Sequence, residues 1–575
     1  MRVLLLHPED PPFDPRWSDS HWDLIVDLGW AGQSQYAEWR ERFRCQVRGL
    51  YSFANWHDDV RRLHQVFSIG NGTLVDSEGI DWWALLTPRS YQGFYEFFLL
   101  QKVAGEIRPT PELYATRAHP MADVLGKLLG TEAKLLCTNP PASFASRLRR
   151  YGAAFNTFTP KQIAMIAGDK WDADYRLRRF FARKPKSTAG AKILLPTAYR
   201  NVSRTVVSYA RLLSDTNFLL VTTRADGLLD DLPPHIQPAR LAAYAPTRRN
   251  KSTEQEIASL TAQWRLLESI LLRAGDPAHR QIALLLEDLS RGLRNGLRIR
   301  DAWRRVFEEE SISAVLCGDE NNAYIRLPVL LAKKRGVWTV HSSHGALDTA
   351  IMLNGVCSDL YLVRGEMEAD YLVQGGLPRD RILIGSAPLE PRRKAQTAGP
   401  DIFFFSEPYE LFSGRTELFY RELLVNLCQI ARAQRRKVIV KLHPFENAPA
   451  RSALVDRALS TADRELVEIS IEPMSEKLLQ RIWFAVTVES SVAVECAVVG
   501  VPCFLCAWFD LELHSYGKQY EKFGAAQRLG APQDVLQIPE MLAARTRLET
   551  TERFYDPISP EALAVAFRRG DFVQA

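Results

Sequence analysis

Short, unbroken runs of apolar residues recur along this chain, separated by stretches in which apolar residues return every three or four positions. The first pattern marks strands buried on both faces and the second marks amphipathic helices. Their alternation predicts parallel sheets covered by helices on both sides. In the first part, Arg2–His7, Trp22–Leu28, Cys45–Tyr51 and Lys134–Cys137 read as strands, with amphipathic stretches at Trp56–Phe67 and Tyr91–Val103. The second part has apolar runs at Ile193–Pro196, Phe218–Thr222, Arg240–Ala243, Ala314–Cys317, Trp338–His341, Asp359–Val363 and Ile382–Gly385, with long helical patterns at Glu254–Leu272 and Gln281–Glu309. In the third, strands are expected at Ile402–Phe405, Lys437–Leu442, Val467–Ile471, Phe484–Val488 and Pro502–Cys506, and helices at Gly414–Gln434, Glu476–Arg481 and Val492–Val499.

Two breaker-rich runs, Arg183–Gly190 and Pro388–Pro400, separate these parts. The fold class expected is therefore α/β, with two tandem Rossmann-like domains and an additional N-terminal α/β domain. Their borders fall at residues 1–185, 186–388 and 389–575.

At 575 residues, with 46% hydrophobic and 25% charged residues, the chain is an ordinary globular one of several cores. A net charge of +5 on 73 basic and 68 acidic residues leans weakly towards anionic partners such as nucleotides or a membrane surface. No nucleic-acid-binding motif accompanies it, so nucleic acid is not an expected partner. The apolar run at Met1–His7 is too short for a signal peptide, and no stretch approaches a membrane span. A cytoplasmic protein is expected, at most touching the inner face of the membrane. The eight cysteines are scattered, and Cys503-Phe-Leu-Cys506 lies within a strand pattern rather than at a strand-to-helix turn, so buried, reduced thiols are expected. No Walker loop or G-x-G-x-x-G fingerprint occurs. No cofactor is implied, and no metal site.

In open α/β sheets ligands bind beyond the carboxyl ends of the strands. Lys437-Val-Ile-Val-Lys-Leu-His443-Pro444 brings Lys441 and His443 to such an end, where Pro444 stops the ladder. An imidazole held there can donate to a phosphate oxygen; the alternative is a turn histidine without a ligand. After the strand ending at Val488, Ser490 and Ser491 open a helix that closes at Gly500. Free N–H groups and hydroxyls at a helix start suit a phosphate, although capping alone accounts for one serine. Glu495 stands one turn inside that helix, placed for a ribose or merely for solvent.

In the middle part, a strand ends in Gly318-Asp319-Glu320-Asn321-Asn322. Either acid can serve as a positioned base, or Asp319 can act as a helix cap. The next strand delivers Ser343-His344-Gly345, which makes His344 a rival base. Arg200 and Arg204 follow the first strand of this part, and Ser406 and Glu407 the first strand of the last; these four are candidate donor or acceptor contacts. In the first part, Trp17, His21, Trp22 and Asp81-Trp82-Trp83 suit core packing better than stacking on a sugar.

His-Pro after a basic strand, then Ser-Ser opening a helix that runs to Gly-x-Pro, resembles the nucleotide site of bacterial sialyltransferases and capsule Kdo transferases. It is also similar to the CDP-glycerol glycerophosphotransferases of teichoic acid synthesis. The likeness covers roughly Ser311 to Cys506. It implies the GT-B type of architecture, with His443, Ser490 and Ser491 on the nucleotide phosphates. The acidic turn resembles the general-base turn of the sialyltransferases with Asn321 in place of a glycine, and His344-Gly345 resembles an essential histidine of the glycerophosphotransferases. What the resemblance implies is a metal-independent glycosyltransferase or glycerophosphotransferase of surface-polysaccharide synthesis. It would take a nucleotide-activated sugar or polyol as donor and a glycan or lipid-linked acceptor. The alternatives are a sugar-nucleotide epimerase, and a non-catalytic subunit that binds nucleotide sugar or glycan.

Overall fold

The computed structural model describes residues 1–107, 111–137, 172, 175, 177–185, 190–224, 227–248, 250–345, 357–387, 399–409, 415–443, 446–510, 516–544 and 554–568. Among the described residues three sheets carry the fold, and every strand pair within them is parallel. The first holds β1 (Arg2–Leu6), β2 (Leu24–Asp27), β3 (Gln46–Gly49), β4 (Glu112–Ala115) and β5 (Lys134–Leu135) in the order β3-β2-β1-β4-β5. The second holds β6 (Lys192–Thr197), β7 (Asn217–Thr222), β8 (Ile236–Arg240), β9 (Ile312–Cys317), β10 (Trp338–Ser342), β11 (Leu360–Val363) and β12 (Ile382–Ile384), ordered β12-β11-β10-β9-β6-β7-β8. The third holds β13 (Asp401–Phe405), β14 (Val438–Lys441), β15 (Val467–Ser470), β16 (Ile482–Thr487), β17 (Cys503–Cys506) and β18 (Gln527–Leu529), ordered β15-β14-β13-β16-β17-β18.

In each sheet the first strand lies inside, the second and third run to one side, and the fourth onward to the other. This is the doubly wound order of tandem Rossmann-like domains. It places the topological switch points, where the strand order reverses, at β1/β4, β6/β9 and β13/β16. The central strands are apolar on both faces because helices cover both; all five residues of β13, Asp-Ile-Phe-Phe-Phe, are buried.

Two sequence expectations change. The strand expected at Arg240–Ala243 ends at Arg240 and begins at Ile236, and Leu241–Tyr244 forms a 3₁₀ turn. Pro238 masks this strand in the sequence, yet β8 is the edge of its sheet, where a missing N–H is tolerated. The helix expected over Gln281–Glu309 is two helices, Pro277–Leu285 and Leu289–Glu309. The break is hidden because the apolar period runs straight through it: Ile282, Leu286, Leu289, Leu293 and Leu297 are all fully buried. Most of the expected linker Pro388–Pro400, residues 388–398, lies outside the described residues.

The chain forms two compact units, cut differently from the borders at 185 and 388. The first comprises Met1–Asp59, Tyr95–Thr159 and Arg392–Thr551, and so contains the first and third sheets. Within it, the loops after β1 and β2 meet the loops after β13 and β17. Arg415, which follows the β13 loop, gives all five of its N–H groups to the first sheet: to both carboxylate oxygens of Asp27 at 3.0 and 2.6 Å and to the carbonyls of His7, Pro8 and Asp10 at 3.2, 3.2 and 2.7 Å. Trp30 donates its indole N–H to the carbonyl of Phe509 at 2.7 Å. Gly32 lies against the carbonyl of Trp508 with φ +91°, and any Cβ there would stand 2.5 Å from that oxygen.

The second unit comprises Val60–Phe94, Pro160–Pro391 and Glu552–Ala575, around the middle sheet. Its tail closes the core: Ile558, Leu563, Ala566 and Phe567 pack with Leu195, Phe218, Leu316, Val340 and Leu362. Arg300 and Asp76 form a fully buried ion pair at 2.8 Å beneath Trp82, whose indole N–H donates to the same Asp76 oxygen.

Candidate functional site

At the carboxyl edge of the third sheet, β14, β13 and β16 are neighbours, so the loops after them lie side by side at the switch point. Ser406 and Glu407 follow β13, His443 follows β14, and Glu489, Ser490 and Ser491 follow β16. With one strand between them, the ends of β14 and β16 stand ~10 Å apart. The sequence places β15 between those strands along the chain; the structure places β13 between them in space.

A carboxylate that the sequence reading passes over ties two of these loops. Glu446 is buried. Its Oε1 accepts from Ser406 Oγ at 2.6 Å and pairs with Arg451 at 2.6 Å, while its Oε2 accepts the backbone N–H of His443 at 2.7 Å. Ser406 also shares a hydrogen bond with the Tyr420 hydroxyl. On the other side, Glu407 accepts the backbone N–H of Glu489 at 3.2 Å, joining the β13 loop to the β16 loop. The only signal for Glu446 in the sequence is its place three residues after His443, before the capping Asn447.

The individual side chains refine the sequence reading. Burial, aided by the neighbouring Lys441, lowers the pKa of His443, so at neutral pH its ring is a neutral donor rather than a cation. Lys441 is itself buried, with a pKa lowered by desolvation, and its ammonium donates to the carbonyl of Leu442 at 2.7 Å. That amine supports the turn. Pro444 lies outside the described residues. The helix after the serines, Val492–Val498, is seven residues long; Ser491 holds its N-cap position without a side-chain capping bond. Ser490 Oγ meets the Val492 N–H only at 3.5 Å, the limit of a hydrogen bond. Capping therefore accounts for little of either hydroxyl. Glu495 is half-buried within that helix.

Burial, with Glu446 and Asp510 nearby, pushes the carboxyl of Glu407 up to about 7. The folded protein thus holds a proton that an unfolded glutamic acid, near 4.5, gives up earlier. The fold is disfavoured progressively as pH rises through this window, and the cost is complete above about pH 7. Glu407→Gln keeps an oxygen for the Glu489 N–H and removes the titration. Urea midpoints measured from pH 4 to 8 are expected to coincide at the acid end, to diverge in favour of the glutamine variant from about pH 4.5, and to keep a steady difference above about pH 7. A constant difference across that range contradicts the assignment.

The middle sheet, in the second unit, has its own edge. β9 ends at Gly318, Asp319 and Glu320, and β10 leads to Ser343 and His344. Asp319 turns its Oδ1 back onto the N–H groups of Asn321 and Asn322 at 3.1 and 3.2 Å, while Asn322 caps the following helix. Glu320 is turned inwards: its oxygens accept from Ser358 N at 2.9 Å, from the Ser358 hydroxyl, and from the Tyr361 hydroxyl at 2.9 Å. Only 3% of it is exposed, so it is poorly placed to meet a substrate. His341, buried beside it, lies 3.8 Å from Glu320 and has no hydrogen-bond partner on either ring nitrogen among the described residues.

His344 is exposed, and its Nδ1 lies 2.8 Å from the carbonyl of Gly318. A carbonyl only accepts, so the proton sits on Nδ1 and the lone pair of the neutral ring sits on Nε2. This is the tautomer a general base needs. Arg200 makes an exposed pair with Asp230 at 3.2 Å, and Arg204 is exposed on the same helix; neither is brought to His344 by any hydrogen bond described.

No family model matches the sequence, and no curated protein matches it. Solved structures resemble it distantly. UDP-GlcNAc 2-epimerase from Methanocaldococcus jannaschii is 14% identical, with 65% of this chain and 98% of that one covered and a TM-score of 0.42. For CalG4, the calicheamicin glycosyltransferase, the values are 13%, 66%, 97% and 0.39. For Anabaena HepE in complex with UDP they are 13%, 67%, 96% and 0.35. Likeness at this level says nothing of this chain's chemistry, which rests on its own residues.

The remaining candidates are structural. Trp17, Trp22, Trp82 and Trp83 are buried, and Asp81 caps the helix Trp82–Leu86, so none of these indoles is offered to a ligand. Cys503 and Cys506 bound β17 and are both buried; three positions apart on a strand, they face opposite sides. The chain spells one Asp-x-Asp, Asp172-Ala173-Asp174, which the metal-free expectation passes over. Asp172 is buried and accepts from the N–H groups of Leu177 and Arg178 and from the Arg178 side chain; Asp174 lies outside the described residues. Among the described residues no group of three or more His, Cys, Asp or Glu is gathered for a metal ion, and no helix is long and apolar enough to cross a membrane.

Proposed function

We propose that the protein is a metal-independent transferase that moves a glycosyl or polyol-phosphate group from a nucleotide-activated donor to a glycan or lipid-linked acceptor in surface-polysaccharide synthesis. The observation that carries the reading is the convergence of three loops at the β13/β16 switch point. There His443, Ser490 and Ser491 stand at one sheet edge, fixed by Glu446 and Glu407. The donor's phosphates would take hydrogen bonds from the imidazole and the hydroxyls. Arg451 offsets the charge of Glu446, and a Glu407 that is partly protonated near neutral pH donates to an anion instead of repelling it. On the middle sheet, His344 Nε2 is the proposed base for the acceptor hydroxyl. Asp319 is the second candidate. Glu320 is proposed to shape the turn.

Hydrogen bonds to charged groups are worth roughly 1.5–3 kcal/mol. His443→Ala is therefore expected to weaken binding of the best nucleotide conjugate about 10- to 100-fold, and Ser490→Ala or Ser491→Ala somewhat less. The measurement is calorimetric titration, after a thermal-shift screen of CMP, CDP, UDP, GDP and dTDP conjugates. Unchanged affinity in all three variants, with the fold intact, removes the assignment. Conversion of a donor without any acceptor would instead favour an epimerase, and binding without turnover a non-catalytic subunit.

A further inference from the structure

We propose that the segment 177–185 docks the second unit onto the surface of an anionic lipid bilayer. Three large apolar side chains within five residues point to solvent: Leu177 is 64% exposed, Phe180 70% and Phe181 82%. Scattered exposed leucines need no explanation, but clustered phenyl rings that find no core mark a contact surface. The sequence around them, Arg176–Lys186, carries six basic residues and no acidic one.

The segment is not a loose loop. Its root is held by Asp172, which binds the N–H groups of Leu177 and Arg178 at 2.8 and 2.9 Å. The Tyr175 hydroxyl donates to Thr223 O at 3.1 Å, and Arg179 donates to Pro246 O at 2.7 Å. A 3₁₀ turn, Arg178–Phe180, then presents the rings outwards. Around them stand cations. Arg183 is exposed, Lys184 lies over the Tyr244 ring and pairs with Glu309, and Arg248 shares with Phe180 the rim of a cavity of about 200 Å³ that Arg298, Glu254 and Asp301 also line.

Apolar wedges ringed by arginine and lysine match the boundary between lipid phosphates and acyl chains. There the rings enter the apolar phase while the cations meet headgroups. A single-stranded nucleic acid also favours aromatic and basic surfaces. Two features count against it. Leu177 has no face for a base to stack on, and side chains around a 3₁₀ turn splay by roughly 120° per residue, which denies Phe180 and Phe181 a shared platform. The inference rests on this surface alone and not on the proposed transferase activity.

The test is co-sedimentation of the full chain with vesicles of phosphatidylcholine, with and without phosphatidylglycerol. Binding is expected only with the anionic lipid and is expected to fall as salt rises. The double variant Phe180→Ser/Phe181→Ser should lower partitioning at least ~tenfold. Arg183→Gln and Lys184→Gln should each lower it about fivefold. Thermal unfolding and nucleotide affinity should not change in any of them. Absence of binding, equal binding to both vesicle types, or binding indifferent to loss of the two rings overturns the proposal. So does patch-dependent binding of a single-stranded oligonucleotide without vesicle binding.

Discussion

Replacing Arg415 with methionine is expected to destabilise the unit built from the first and third sheets by ~3–5 kcal/mol. The guanidinium is buried and spends all five N–H groups on Asp27 and three carbonyls, over the ring of Trp39. Its removal strands the Asp27 carboxylate, which is fully buried and among the described residues keeps the Tyr36 hydroxyl at 2.9 Å and the Gly29 N–H at 3.2 Å. An unpaired buried charge costs far more than the pair itself contributes. The double variant Arg415→Met/Asp27→Leu should therefore recover much of the loss, although Tyr36 then loses its acceptor. Urea unfolding followed by tryptophan fluorescence gives the four corners of the cycle. A loss below ~1 kcal/mol for Arg415→Met, or simple additivity in the double variant, refutes the pair as the tie between these sheets.

His344→Gln is expected to lower turnover by ~10²–10⁴-fold while leaving nucleotide affinity nearly unchanged. The glutamine amide can still donate towards the Gly318 carbonyl, so the turn is kept, but it offers no lone pair basic enough to take a hydroxyl proton. The readout is release of nucleotide from the donor in the presence of acceptor. His344→Gly should be as slow, and added imidazole should restore part of its rate, which a merely structural loss would not allow. Asp319→Asn should cost less, since an amide oxygen still accepts from Asn321 and Asn322. Glu320→Gln should act chiefly on stability, through Ser358 and Tyr361. Near-normal turnover in all three single variants would remove the base from this sheet edge.

The sequence by itself determined the α/β class and the placing of the motifs. Runs such as Ile-Phe-Phe-Phe at 402–405 and Val-Ile-Val at 438–440 leave no polar face, and their alternation with amphipathic helical stretches marks them as central parallel strands. The turn residues that follow them must then emerge at the carboxyl edge, which is where Ser406, His443, Asp319 and His344 stand. These features are local, repeating every two or four residues, and a linear reading recovers them. The tertiary structure alone decided what each emerging side chain does. Glu320 and Asp319 are neighbours of one type, yet Ser358 and Tyr361, some forty residues away, draw Glu320 inwards. Glu446 becomes the tie of the third sheet's edge only when Ser406, 40 residues earlier, is beside it. Arg415 finds Asp27 across 388 residues, and so joins the first and third sheets into one unit while the middle sheet and the chain's tail form the other. Hydrophobic period fixes what a segment is. Partnership between buried polar groups depends on strand order and on chain closure over hundreds of residues, and no local pattern encodes either.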